Sequence, residues 1–166
     1  PPVDALTVNP MLGTDAVQPF LDAAEATGTG LFVLVRTSNP GAAELEDLPL
    51  ADGRLWHQAV AERVSGWGAH IPPRDGGLSS IGAVVGATVP EHLTRLRQLM
   101  PDQPFLLPGV GAQGGDPASL GPAFGGHMAG ALVSASRSVI YADDPAAAAR
   151  GLRDVVWAAW ESVARG

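Results

Sequence analysis

An α/β fold built on a parallel sheet is predicted by three features of this 166-residue sequence. Five short apolar runs recur along it at intervals of roughly 25 to 50 residues, each followed by a stretch of helical periodicity. The best of these runs are apolar throughout instead of alternating, as strands covered on both faces require. Turn-forming Gly and Pro punctuate the spaces between runs and helices. The length suits one domain over residues 1–166.

The first strand is expected at Ala5–Val8, stopped by Asn9-Pro10. A helix follows over 14–26, with Thr14 as N-cap and Val17, Phe20, Leu21 and Ala24 on one face. Pro19 sits inside it, and Gly28 and Gly30 stop it. Leu31–Val35 reads as a strand buried on both faces. The next helix spans 54–67, with Leu55, Val60 and Val64 inward. The 66–80 segment is the most mobile-looking loop, and Asp75 in it suits a turn. Ile81–Val85 is the third strand, and Pro90 opens a helix whose inner face carries Leu93, Leu96, Leu99 and Met100. Phe105–Leu107 and Ala131–Val133 are two more strands, separated by a helix containing Asp116–Leu120. The longest helix covers Pro145–Ala164, capped by Asp144, with Leu152, Val155, Val156, Ala159 and Val163 inward. Two architectures satisfy this order: an open doubly wound sheet, or a (β/α)8 TIM barrel. A full barrel needs ~250 residues, so five units would make five eighths of one.

Composition removes whole classes of chemistry. The chain is 46% hydrophobic, too apolar for a disordered segment. Cys is absent, which removes disulfides, thiolate nucleophiles and Cys-held metals. All ten basic residues are Arg, so no lysine Schiff base or lysine proton donor exists among these residues. The formal charge of −7 argues against nucleic acid or an anionic membrane as partner. No apolar run reaches the ~18 residues of a membrane span, and the start, PPVDALTVNP, lacks the pattern of a secretory leader. The expectation is a soluble, cytoplasmic protein.

In both architectures ligands sit at the carboxyl ends of the strands. The residues to weigh there follow each apolar run: Asn9-Pro10, then 35–42, 86–88, 108–117 and 134–138. PGVGAQGG (108–115) places four glycines directly after a buried strand, where backbone can approach a ligand closely. Three readings fit it: a phosphate cradle, a dinucleotide fingerprint through Gly109, Gly111 and Gly114, and a flexible loop without ligand. The fingerprint lacks the strand-borne acid about 20 residues further on. After the last strand comes SASRS, in which Arg137 offers a fork of donors matched to phosphate oxygens. A lone Arg is ordinarily a solvated surface charge. In barrels, however, the loops after the last two strands form the phosphate site, and here those loops carry the glycines and the Arg.

LFVLVRTSNPGA, IGAVVGAT, FLLPGVGAQGGDP and SASRSVIYA together resemble the orotidine 5′-phosphate decarboxylase family, in its longer bacterial subfamily, from about Asp4 to Tyr141. The resemblance implies a cofactor-free, homodimeric (β/α)8 barrel in de novo pyrimidine synthesis, acting on orotidine 5′-phosphate. It implies further that Ser38 hydrogen-bonds the pyrimidine and that Pro108 lines the base pocket. Gln113 and Arg137 hold the phosphate, joined by the backbone of Gly111 and Ser136. The family's Asp-x-Lys-x-x-Asp motif and its further lysine are not in the sequence, which therefore resembles strands four to eight, the binding portion without the proton donor. No catalytic residue is assigned among the 166.

Other candidates carry less. His57, His70, His92 and His127 show no metal-ligand spacing. Trp56, Trp67, Trp157 and Trp160 suit helix packing or an interface, and Asp116 suits a helix cap. Two other functions fit the residues: a barrel enzyme, such as an epimerase or aldolase, acting on a sugar phosphate, and a non-catalytic phosphoribosyl-ligand-binding or interaction fragment. An edge hydrogen bond from Ser38 favours the decarboxylase over the first, and the absence of Lys favours the second for these residues alone.

Overall fold

The computed structural model describes residues 3–71 and 77–165. Five strands form one sheet: β1 (Ala5–Val8), β2 (Gly30–Arg36), β3 (Ile81–Val85), β4 (Phe105–Leu107) and β5 (Ala131–Val133). Every neighbouring pair is parallel, and the spatial order is β1-β2-β3-β4-β5. That order decides between the two architectures. A doubly wound sheet reverses direction at a switch point, whereas strands added one after another in chain order make part of a (β/α)8 barrel.

The crossover helices are α1 (Thr14–Thr27), α2 (Ala43–Glu46), α3 (Trp56–His70) and α4 (Pro90–Leu99), and α5 (Arg137–Ile140) and α6 (Pro145–Ala164) follow β5. Between β4 and β5 the chain runs through a 3-10 segment, Pro117–Phe124, where an α-helix was expected. Pro122 inside it has no N–H for an α-helical ladder. Asp116 caps this segment by accepting from the Ala118 amide, and Asp144 caps α6 by accepting from that of Ala147, as the sequence suggests. Other boundaries move. Gly13, not Thr14, is the N-cap of α1, with φ 91°, and Thr14 is its first helical residue. Gly30 belongs to β2 and does not end the preceding helix. Helix α3 starts at Trp56, two residues later than expected, and runs to His70, so the loop expected from residue 66 begins later. Residues 72–76, with Asp75, lie outside the described residues.

The core sits between β2, β3 and β4 and the helices on their outer face. All five residues of β3 are buried, as a central parallel strand demands. Val33, Val35, Ile81, Phe105 and Leu107 from the sheet pack with Val64, Leu93 and Leu96 from the helices. Only Ala159 of α6 is fully buried; Leu152 and Val156 pack half-buried on the core. Val155, expected inward, is exposed, whereas Val163, also largely exposed, still sets its Cγ2 against Gly121 of the 3-10 segment beside Ala159. Among the described residues β1 pairs only with β2, and β5 only with β4, so the sheet has two edges. Beside β5 lies an apolar groove of about 550 Å³, lined by Leu132, Val133, Leu152, Val156, Trp157 and Trp160 among others. No helix among the described residues is long and apolar enough to cross a membrane.

Arg97 ties the end of the sheet from which the strands start. It is buried on α4, stacks 3.8 Å over the Phe105 ring, and donates to the carbonyls of Met100, Gln103, Ala123 and Gly130. Those carbonyls belong to the end of α4, the approach to β4, the 3-10 segment and the approach to β5. Burial pushes its pKa down to about 10, so it stays a cation at neutral pH. Arg97→Met keeps the stem but leaves several carbonyls unpaired, each costing roughly 1–3 kcal/mol. The expected outcome is a loss of at least about 3 kcal/mol in urea unfolding; a loss under about 1 kcal/mol would contradict this assignment.

Candidate functional site

The carboxyl ends of β2, β3, β4 and β5 give rise to four loops whose main chains are stitched together beyond the strands. The Gly86 amide donates to Arg36 O (2.6 Å), Ala87 to Pro108 O (2.8 Å) and Ser134 to Leu107 O (3.0 Å). The ladder thus continues into the loops, and the sequence-predicted site residues lie on these loops.

Ser38 is set by close approach. A Cβ on Gly86 would lie 2.8 Å from Ser38 Cα, and one on Gly109 would lie 2.8 Å from Ser38 Cβ and 3.0 Å from Gln113 Oε1. Any side chain at either glycine would push Ser38 away. The Ser38 carbonyl accepts from Thr88 Oγ1 at 3.2 Å. Three loops therefore meet at one half-buried serine.

The loop after β4 is a compact turn. Gly109, Gly111 and Gly114 all have positive φ, and the Gly111 and Gly115 amides bond Gly115 O and Gly109 O, each at 3.0 Å. The Gly111 amide is thus engaged within its own loop. Its close approach is to Ser138, which joins the glycine loop to α5. A cavity of about 160 Å³ is lined by Pro108, Gln113, Ser134, Ser136 and Arg137, among others. A second, of about 490 Å³, is lined by Arg36, Ser38, Asn39, Thr88 and Gln113, among others. Gln113 belongs to both, so Ser38, Pro108, Gln113, Ser136 and Arg137 occupy one end of the sheet. Arg137 is exposed at the start of α5 and makes no ion pair among the described residues.

The geometry also assembles a cluster that sequence spacing does not show. Asp47, His57 and His92 bring their side-chain ligand atoms within 4.8 Å of one another. The expectation that the histidines form no constellation is corrected for His57 and His92, which sit on different helices with rings 4.7 Å apart. The chemistry is nevertheless that of an ion-pair network. Arg36 grips Asp47 with Nε and a terminal nitrogen, both at 2.8 Å. His57 Nδ1 lies 2.8 Å from Glu46 O, which can only accept, so Nδ1 carries the proton, and it also lies 3.1 Å from Asp47 Oδ1. A carboxylate held by a permanent cation and an N–H has little left to offer a metal ion. The bonds from Arg36 hold the Asp47 pKa below the ordinary carboxylate value, and burial holds that of His57 below the ordinary imidazole value. One signal for the network was readable: His57, Ala61, Val64 and Gly68 form the buried stripe of α3 at helical spacing.

The sequence profile of the orotidine 5′-phosphate decarboxylase / HUMPS family matches residues 2–152. Orotidine 5′-phosphate decarboxylase of Haloarcula marismortui is 45% identical over 150 residues, covering 90% of this chain and 50% of that protein. A solved structure from Toxoplasma gondii, assigned as an orotidine-monophosphate-decarboxylase, matches with TM-score 0.89 at 30% identity, over 98% of this chain and 60% of that one. The OMP decarboxylase structure of Leishmania donovani matches with TM-score 0.76 at 34% identity, over 95% and 58% of the two chains. The chain spans about half the length of the curated relatives it matches.

The two shifted groups make stability acid-sensitive in the same direction. Below about pH 6.5 an unfolded His takes up a proton that folded His57 resists, so stability falls as pH falls; Asp47 adds a further loss below about pH 4. His57→Asn, which retains a donor N–H, is expected to flatten the decline between about pH 7 and 5 and to keep the decline below 4. Urea midpoints across pH check this, and equal slopes in the two proteins would refute it.

Proposed function

The chain belongs to the orotidine 5′-phosphate decarboxylase / HUMPS family, and on that footing we propose that it supplies the phosphate- and pyrimidine-binding part of an enzyme that converts orotidine 5′-phosphate to uridine 5′-phosphate. The observation that carries this reading is the meeting of Gln113 and Arg137 at one small cavity after the last two strands, next to the Ser38 cavity. Arg137 pairs with the phosphate, the Ser136 amide adds a donor, and Gln113 closes over it. Pro108 lines the base pocket, and Ser38 bonds the pyrimidine edge. Gly111 contributes by letting the loop approach Ser138.

Loss of carbon dioxide leaves a carbanion on the pyrimidine ring, which needs charge placed beforehand and then a proton. Arg is a poor donor at neutral pH because its guanidinium keeps its proton well above that range, and the chain has no Lys. In this reading the 166 residues bind and orient, and the proton comes from the Asp-x-Lys-x-x-Asp element that the resemblance implies. Phosphate contacts remote from the reacting carbon supply binding energy used in the transition state. The five strands are strands four to eight of the longer bacterial subfamily's barrel, and the remaining strands close it by pairing with β1 and β5 and covering the groove beside β5. The complete enzyme is a cytoplasmic homodimer acting without cofactor.

Arg137→Ala is expected to weaken uridine 5′-phosphate binding roughly 10- to 100-fold, as loss of a charge-assisted contact does, and to leave uridine binding unchanged. Equal effects on both ligands would overturn the phosphate assignment. Orotidine 5′-phosphate absorbance should stay constant with the 166-residue chain and fall with a protein that also carries the Asp-x-Lys-x-x-Asp element. Turnover by the lysine-free chain would refute the division of labour.

A further inference from the structure

The loop carrying Ser38 leaves the sheet at Arg36 and rejoins the body at Glu46 and Asp47, and its two ends are tied to each other underneath. A register shift between Leu34 and Arg36 in the pairing with β3 turns consecutive Val35 and Arg36 both away from solvent. Arg36 then reaches Asp47 with two nitrogens and the Thr37 carbonyl with a third. From the other end Glu46 accepts from the Thr37 amide at 2.7 Å and from its hydroxyl at 2.9 Å. The residue after this clasp is Ser38.

His57 anchors the clasp to a rigid element. It is 1% exposed on the fifteen-residue α3 and donates from Nδ1 to the Glu46 carbonyl and toward Asp47. Asp47 and His57 line neither cavity at the mouth of the sheet. Their reach to the site runs through Arg36 and Thr37 into the Ser38 backbone, which has no slack between Gly86 and Gly109.

We propose that Asp47 and His57 are positioning residues for pyrimidine recognition: they fix the Ser38 loop at both ends, while the phosphate subsite is held chiefly by α5 and by the hydrogen bonds within the glycine loop itself. The proposal rests on the reading of Ser38 given above. Recognition groups must be held within about 0.5 Å, and small displacements from remote substitutions weaken function up to about a hundredfold. Removing Asp47 leaves the buried Arg36 cation less well paired, and removing His57 frees the Glu46 carbonyl and with it the loop end.

The test compares two ligands, uridine 5′-phosphate and ribose 5-phosphate, in equilibrium titrations of the 166-residue chain and its variants. Asp47→Asn and His57→Ala are expected to weaken uridine 5′-phosphate about tenfold or more, with ribose 5-phosphate within about twofold of the parent. His57→Asn, whose amide can donate where Nδ1 does, should restore most of the nucleotide affinity. A merely structural network would weaken both ligands alike, and that result overturns the proposal. So does equal behaviour of His57→Ala and His57→Asn. Should Asp47→Asn not fold, the paired His57 variants decide alone. If the unmodified chain binds uridine 5′-phosphate no better than ribose 5-phosphate, the pyrimidine role of Ser38 itself fails, and the proposal with it.

Discussion

Contact between three loop backbones at Ser38 is the constraint on which the site depends. Gly86 and Gly109 leave no room for a side chain, and each would-be Cβ falls within 2.8 Å of Ser38. This contact brings the loop after β2 against those after β3 and β4, and Gln113 then faces both cavities. The residues meet because the strands are parallel and sequentially ordered, so successive loops emerge side by side at one end. An open sheet with a switch point would have parted some of them.

The two ends of the sheet divide the work. At the end where the strands start, Arg97 gathers carbonyls from four segments and fixes how the helices meet the sheet. Beneath the loops at the other end, buried Arg36 and His57 and half-buried Glu46 and Asp47 form the second polar network. Buried charges of this kind hold geometry more than they add stability, since desolvation offsets much of their attraction. The sheet edges at β1 and β5, with exposed Leu6 and Leu132 on them, are where such a fold gains most from further pairing.

The five strands were legible because continuous apolar runs leave few alternatives, and the place of Ser38, Pro108, Gln113, Ser136 and Arg137 at one end of the sheet follows from the runs they succeed, whereas the part each plays there rests on the family resemblance. The face of α6 was not legible: apolar residues occur around much of it, and packing buries Ala159 and half-buries Leu152 and Val156 while Val155 stays exposed. The 3-10 segment departs from the expected helix because Pro122 lacks the N–H that an α-helical ladder needs there. The cluster of Asp47, His57 and His92 lay beyond spacing arguments. Those arguments see ligands on one helix, and here three separate elements supply one residue each. The bond of the Gly111 amide to Gly115 within its own loop has no signature in the sequence.

The central claim is that one end of this sheet holds a nucleotide by its phosphate at Gln113 and Arg137 and by its base at Ser38 and Pro108. Amide chemical shifts of the isotopically labelled chain, titrated with uridine 5′-phosphate and separately with uridine, test it most directly. The account predicts shifts at 136–138 with the nucleotide only, larger shifts at 109–115 with the nucleotide than with uridine, and shifts at Ser38 with both. Shifts confined to the β5 groove, or identical at 109–115 and 136–138 for the two ligands, would contradict it.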